Sequence, residues 1–293
     1  MSEKIGLIYN DPIPGNLHRL GEDVAVLGVL DAVSAVTKAV EKMGYEVLVV
    51  PLRLPMSAAE ATLMELKADI VFNLFEGFDG IPGSEAAMAQ ILEKMGVSFT
   101  GSPSRTLFLC QNKALEKEVL RLAGIPTPNW QLLSPEDQSH FNLNFPCIVK
   151  PLGEHASHGI SADSVVDNTV ALGERIKFIW RSYGCSSLVE EFVSGREFSA
   201  LVMGNGHLKL FPIEEIVYFL PPDKPQILTY AAKWVPDDEY FTGTKTKCPA
   251  EISPELNQTI EKLALSSFAA LDCRGYARVD MRQDKDGELL VLE

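Results

Sequence analysis

Four short apolar runs in the first hundred residues, KIGLIYN, YEVLVVPL, DIVFNLF and VSFTG, alternate with stretches of helical periodicity. Unbroken apolar runs of this length are typical of strands covered on both faces. Strands that alternate with helices are joined by crossovers into a mostly parallel sheet. The intervening helices are expected to span roughly 20, 10 and 12 residues. Gly44 and Gly96 stand where the chain leaves a helix, and Ser57 with Glu60 has the spacing of a capping box. Loops that follow parallel strands gather along one sheet edge, so 10–16 and 73–83 are predicted to flank a common cleft.

A second unit is expected from about Pro103. A helix over 113–123 ends at Gly124, IPTPNW is a proline-punctuated linker, FPCIVKPL a strand and GEHASHG a loop. The segment 166–183 reads as a helix entered near Asp167. SSLVEEF, GREFSALVMG and HLKLFPIEEI then read as antiparallel strands, with Gly204-Asn205-Gly206 as a hairpin turn. From 221 to 249 the chain is rich in proline, charge and aromatics without a period, the profile of a lid or a disordered loop. Ser253-Pro254 supplies an N-cap and first-turn proline for a helix reaching about Asp272. The predicted divisions are 1–102, 103–186 and 187–293, an α/β amino-terminal part followed by an α+β part.

The chain closes on ARVDMRQDKDGELLVLE, a hairpin pattern around Asp286-Gly287. A two-residue turn there sets Asp280 opposite Glu293. A four-residue loop sets Asp280 opposite Val291, and parity still puts both carboxylates on one face. Val279, Met281, Leu290 and Leu292 are then predicted to share the apolar face. Two opposed carboxylates call for a cation between them, and oxygen-only ligation suits Mg²⁺. The alternative is a solvated face whose acids pair with Arg278 and Arg282.

A formal net charge of −14 argues against a nucleic acid or an anionic membrane as a partner held by bulk electrostatics. Five scattered cysteines without CxxC spacing suggest reduced thiols in a cytoplasmic protein and no zinc site. No signal peptide or membrane span is evident in the sequence.

Phosphate chemistry has no GxGxxG or GxxxxGK[ST] cradle here. In CIVKPLGEHASHGI, a strand-end lysine precedes a small-residue loop whose amides could close over phosphates. In SLVEEFVSGREFS, acids at strand ends could accept from an adenine amino group and a ribose. Taken singly, each is also an ordinary solvent-exposed lysine or charged connection.

Their order carries more. Lys113 in QNKALEKEVLRLAGIPTP, Lys150 in IVKP, LVEEFVSGREFS, Lys233 in AAKW and RVDMR…LLVLE together resemble the ATP-grasp fold, and most closely its D-alanine–D-alanine ligase branch. VFNLFEG…LEKMGVSFTGSP is similar to that branch's amino-terminal, pre-ATP-grasp domain. The resemblance implies an ADP-forming ligase that joins a small carboxylate to a small amine, amino acids foremost, through an acyl-phosphate. It assigns Lys113 and Lys150 to ATP phosphates, Ile148 to the adenine pocket and Glu190 to the adenine amino group. Glu191, Phe192 and Val193 would complete the purine contacts, and Glu197 would hold the ribose. His155, Ala156, Ser157 and Gly159 would form the phosphate loop. Asp280 and Glu293 would ligate Mg²⁺, with Mn²⁺ as a substitute, while Arg278 and Lys233 would act on the reacting phosphoryl group. A non-catalytic ATP-binding module and an ATP-dependent phosphotransferase are the other readings, and a homodimer is expected by analogy.

Three positions depart from that pattern. YNDPIPGN has no counterpart of the branch's amino-terminal glutamate, Ala156 stands at the loop serine and Trp234 at the lid tyrosine. The resemblance also implies an asparagine two residues beyond Glu293, so the third division is expected to be incomplete at its end.

Overall fold

In the computed structural model, which describes residues 3–12, 18 and 20–293, the chain forms two compact units, Met1–Phe108 and Leu109–Glu293. The first unit is the predicted βα repeat. β1 (Lys4–Asn10), α1 (Asp23–Leu27), α2 (Val29–Lys42), β2 (Glu46–Leu52), α3 (Met56–Glu65), β3 (Ile70–Leu74), α4 (Ser84–Met95) and β4 (Ser98–Phe99) follow in order. The sheet runs β2-β1-β3-β4, with every pair parallel. Ile8, Leu52 and Val71 pack under Ala59 and Leu63 of α3 and Met88 and Leu92 of α4. Leu7 is equally buried, on the opposite face by strand alternation.

The capping box predicted at Ser57 does not form. α3 is entered from Pro55 in extended backbone, and no side chain caps it. The β1 and β3 ends do meet at one edge, where the Asn10 side-chain oxygen accepts from the Glu76 amide at 3.1 Å. The rest of the predicted 10–16 loop lies mostly outside the described residues.

After α5 (Ser104–Cys110), the second unit holds two sheets. β5 (Trp130–Leu133), β6 (Cys147–Pro151), β7 (Val165–Val166) and β8 (Ser187–Glu191) pair antiparallel in the order β5-β8-β6-β7. α7 (Thr169–Tyr183) covers them, its Leu172, Ile176 and Ile179 against Leu133, Cys147, Val149 and Val189. Its N-cap is Asn168, beside Asp167 where the helix was expected to begin, with the Asn168 oxygen accepting from the Val170 and Ala171 amides. Because β8 belongs to this sheet, the central half extends to Glu191, past the division expected after residue 186.

The other sheet contains β9 (Glu197–Gly204), β10 (Lys209–Leu210), β11 (Glu214–Tyr218), β12 (Thr244–Lys247), β13 (Gly275–Gln283) and β14 (Leu289–Val291), in the order β12-β11-β9-β13-β14 with β10 also on β9. α10 (Pro254–Ala270), capped by Ser253, lays Ile260, Ala264 and Phe268 on Phe198, Ala200, Val202, Val279 and Met281. The aperiodic segment 221–249 is ordered as α8 (Tyr230–Trp234), α9 (Glu239–Gly243) and β12, around buried Ile227, Ala232 and Tyr240.

The closing hairpin takes neither predicted register. Gln283 pairs with Leu289 and Met281 with Val291, and the Asp284 amide donates to the Glu288 carbonyl at 2.8 Å, which leaves the three-residue loop 285–287, in which Gly287 has φ +87°. A turn ending on a left-handed glycine is a standard solution for this loop length. A one-residue slip exchanges the faces, so Leu289 and Val291, not Leu290 and Leu292, enter the core with Val279 and Met281. Beyond β14 the strand bulges. The Leu292 and Glu293 amides both point at the Asp280 carbonyl, at 2.8 and 3.5 Å, and the Asp280 amide donates to the Glu293 carbonyl at 2.8 Å. Two residues opposing one in this way form a β-bulge, which returns Glu293 to the side of Asp280. The predicted neighbourhood of the two carboxylates therefore holds, through a turn and a bulge that offset each other.

Candidate active site

Within the second unit, the charged residues singled out from the sequence converge on the space between its two sheets. Lys113 is the first residue of α6 (Lys113–Leu122), capped by Asn112. It is buried, its ammonium donates to the Glu154 carbonyl and lies 3.5 Å from Glu293. Lys150 on β6 pairs with one oxygen of Glu190, directly across the ladder from Ile148, and Lys117 pairs with the other oxygen at 2.5 Å.

Glu190 and Lys117 are each 1% exposed and Lys150 is 14% exposed, so a fully buried lysine–carboxylate pair carries a second, partly buried lysine. Burial alone would raise the Glu190 carboxyl; Lys117 and Lys150 outweigh it and hold the group below its usual range. Burial likewise favours neutral Lys150, and Glu190 overcomes that, raising the ammonium's pKa. Each Glu190 oxygen thus faces one lysine ammonium. Lys117 was not anticipated. A readable signal exists: Lys113, Glu116 and Lys117, at i, i+3 and i+4, share the buried face of α6 with Leu120.

Glu191 is held by Asn129 Nδ2 at 2.8 Å and by the Asn144 amide and Nδ2 at 3.0 and 2.7 Å, and the Phe192 amide donates to the Pro146 carbonyl. Ile148 and Phe192 pack against the apolar cluster of the 227–240 segment, and Val193 is buried. Glu197 accepts from the Tyr218 hydroxyl at 2.6 Å and has Arg282 Nε at 3.5 Å; burial, the largest influence, raises its pKa. Tyr218 and Arg282, unremarked as site residues in the sequence, are what orient Glu197. Arg282 also donates to the Gln226 carbonyl at 2.6 Å, tying the former aperiodic segment to β13.

Asp280 accepts from Ser199 Oγ at 2.5 Å and from Arg278 Nε and Nη2 at 2.9 and 3.0 Å. Glu293 Oε1 lies 3.0 Å from His155 Nδ1. Burial opposes ionisation of Glu293, yet Lys113 and His155 hold its carboxyl well below the ordinary range. Lys233 on α8 has a depressed ammonium, first through burial and then through repulsion from Arg278. The loop residues Ala156 and Ser157 take φ of +52° and +63°, conformations that cost energy for residues with a Cβ and that concentrate at functional loops. Trp234 Nε1 donates to the Ala156 carbonyl at 3.3 Å and Ser157 Oγ to the Leu228 carbonyl at 2.9 Å, so the loop and α8 region are bonded together.

Among the described residues, no group of three or more His, Cys, Asp or Glu side chains forms a metal cage. The donor set of Asp280 and Glu293 still fits Mg²⁺, which takes one or two carboxylates and fills its octahedron from water and phosphate oxygens. Glu293 is held ionised, the condition a divalent ion requires of a carboxylate ligand, and Asp280 pairs with Arg278.

A family model described as D-ala D-ala ligase C-terminus matches residues 119–293. An uncharacterized protein of Sinorhizobium fredii is 34% identical over 224 residues, covering 76% of this chain and 64% of that relative. D-alanine–D-alanine ligase B of Mesorhizobium japonicum is 30% identical over 273 residues, covering 90% of this chain and 81% of that relative. Among solved structures, the VanG D-Ala:D-Ser ligase from Enterococcus faecalis superposes with a TM-score of 0.73 at 21% identity, covering 100% of this chain and 90% of that one. That likeness is one of fold, and the fold is ATP-grasp. The chain belongs to the D-alanine–D-alanine ligase family, whose members are ATP-dependent, ADP-forming ligases. Neither the non-catalytic module nor the phosphotransferase is favoured by these relatives.

Proposed function

We infer that this protein joins a small carboxylate, an amino acid foremost, to a small amine through an acyl-phosphate, with the nucleotide between the 109–191 and 192–293 parts of the second unit. The observation that supports this most is the convergence of Lys113, Lys150, Lys233 and Arg278 with Asp280 and Glu293 in an acidic chain of net charge −14. Such a cationic cluster is what a polyphosphate and a transferring phosphoryl group need, since phosphoryl transfer is mainly positioning and charge neutralisation.

In this reading Lys113 and Lys150 bind phosphate oxygens, and the backbone of 191–193 with Ile148 receives the purine. The second Glu197 oxygen receives a ribose hydroxyl. A carboxylate oxygen of the first substrate attacks the γ-phosphorus as the bond to ADP breaks, with Lys233 and Arg278 facing the charge that develops. The amine then attacks the acyl carbon, phosphate departs and the amine loses a proton. Asp280 and Glu293 would hold Mg²⁺, or Mn²⁺, which would supply neutralisation of the phosphate charge. The bonded loop and α8 region exclude water from the acyl-phosphate.

Ala156 and Trp234 face one another in that closure, and with the departure at YNDPIPGN they favour a carboxylate or amine other than D-alanine. A cytoplasmic location and homodimerisation complete the proposal. The acyl-phosphate route is tested with carboxyl-¹⁸O amino acids and Mg²⁺-ATP: one labelled oxygen should appear in the released phosphate. Amide formation with unlabelled phosphate would exclude the route.

A further inference from the structure

Behind the loop 153–160, on the side of the central helix, lies a second buried cation that the roles above do not use. Arg175, on α7, is 7% exposed. Its Nη2 donates to the Gly159 carbonyl and, at 2.9 Å, to Ser164 Oγ, and its guanidinium lies 4.5 Å from the Phe178 ring centroid. Ser164 is fully buried and accepts from the Ser161 amide at 3.0 Å. Gly159 takes φ +70°, and a Cβ there would stand 2.7 Å from Pro151 and 3.0 Å from Tyr183, so the position requires glycine.

The loop's carbonyls are claimed one after another. Glu154 accepts from Lys113, Ala156 from Trp234, Gly159 from Arg175, and Ile160 from the Tyr230 amide at 2.9 Å. The backbone amides of His155, Ala156 and Ser157 donate to no group among the described residues. A peptide plane joins each carbonyl to the amide of the next residue, so the Glu154 and Ala156 carbonyls set the His155 and Ser157 amides, while the Gly159 carbonyl sets the Ile160 amide. That amide donates to the Ser157 carbonyl at 3.0 Å, and the His158 amide on the Ser157 plane donates to the His155 carbonyl at 2.9 Å, whose plane carries the Ala156 amide. Of the four donors, Arg175 belongs to α7 and is buried there, between the Gly159 carbonyl, Ser164 and the Phe178 ring.

We propose that Arg175 is a positioning residue for the nucleotide's phosphates: anchored in α7, it holds Gly159 so that the 155–157 amides form the anion cradle. This rests on the nucleotide site proposed above. It acts without touching the ligand, and it places part of phosphate recognition in a helix that a reading of the loop alone would leave out.

The test compares ATP with adenosine, which has the same base and sugar and no phosphate, by calorimetry on the full chain. In Arg175→Met, which keeps the aliphatic packing, ATP affinity should fall about tenfold while adenosine affinity stays within about twofold, as expected for losing a charge-assisted hydrogen bond. Arg175→Lys, which retains a donor, should recover part of the loss and serves as the variant of record where Arg175→Met fails to fold. Equal losses for ATP and adenosine, or unchanged ATP affinity in folded Arg175→Met or Arg175→Lys, would overturn the proposal. Wild-type protein that binds no ATP would instead remove the nucleotide site itself and this inference with it.

Discussion

At the residue scale the site is a matter of which charges are buried and what neutralises them. Removing one member of a buried ion pair leaves the other desolvated and unpaired, a cost of about 3–5 kcal/mol. In Lys117→Ala, Lys150 still pairs with Glu190, so the variant should destabilise the fold by less, about 1–3 kcal/mol in urea unfolding for the one Glu190 oxygen left without its partner, although Lys117 is shut off from any ligand. An unchanged midpoint would show that Glu190 is not held as described. Glu116 lies on the same helix face, its carboxyl pushed up to about 8, first by burial and then by Glu293. Between its ordinary value and about 8 the folded chain keeps this proton while the unfolded chain has released it, so the unfolded state binds fewer protons and stability falls as pH rises through that window. Glu116→Gln should flatten that decline between pH 5 and 8 in thermal melts; a slope equal to wild type would reassign it to other groups.

At the element scale, the one-residue shift in the closing hairpin decides which side chains the core receives. Leu289→Ala should cost about 2–5 kcal/mol, and Leu290→Ala distinctly less. The reverse order would restore the two-residue turn. The β–α rhythm of the first unit was legible because its periodicity is long and its punctuation local, and Ser253 and Gly96 read as helix ends for the same reason. Asp286-Gly287 was a weaker guide. A glycine with positive φ serves a two- or a three-residue loop equally, and only the core's demand for Leu289 and Val291 separates them. The bulge at Leu292 and Glu293 has no local signal, since it is set by the backbone of β13. The segment 221–249 hid α8 and α9 because helices of five residues each are too short to show a period.

At the scale of the whole molecule, an acidic protein gathers a local cationic site from lysines and arginines far apart in sequence. Lys113, Lys150, Lys233, Asp280 and Glu293 were recognisable as an ordered set, whereas Lys117, Arg175, Tyr218 and Arg282 were not, because each acts by holding another residue. The central claim is that this set joins a carboxylate to an amine at the expense of ATP. Steady-state ADP release by the 293-residue chain with Mg²⁺-ATP, challenged with D- and L-amino acids and small carboxylates, tests it most directly when the products are read by mass spectrometry. The account predicts ADP that depends on both a carboxylate and an amine, with one amide formed per ADP. A phosphorylated product without amide, or ATP bound tightly with no ADP under any pairing, would contradict it.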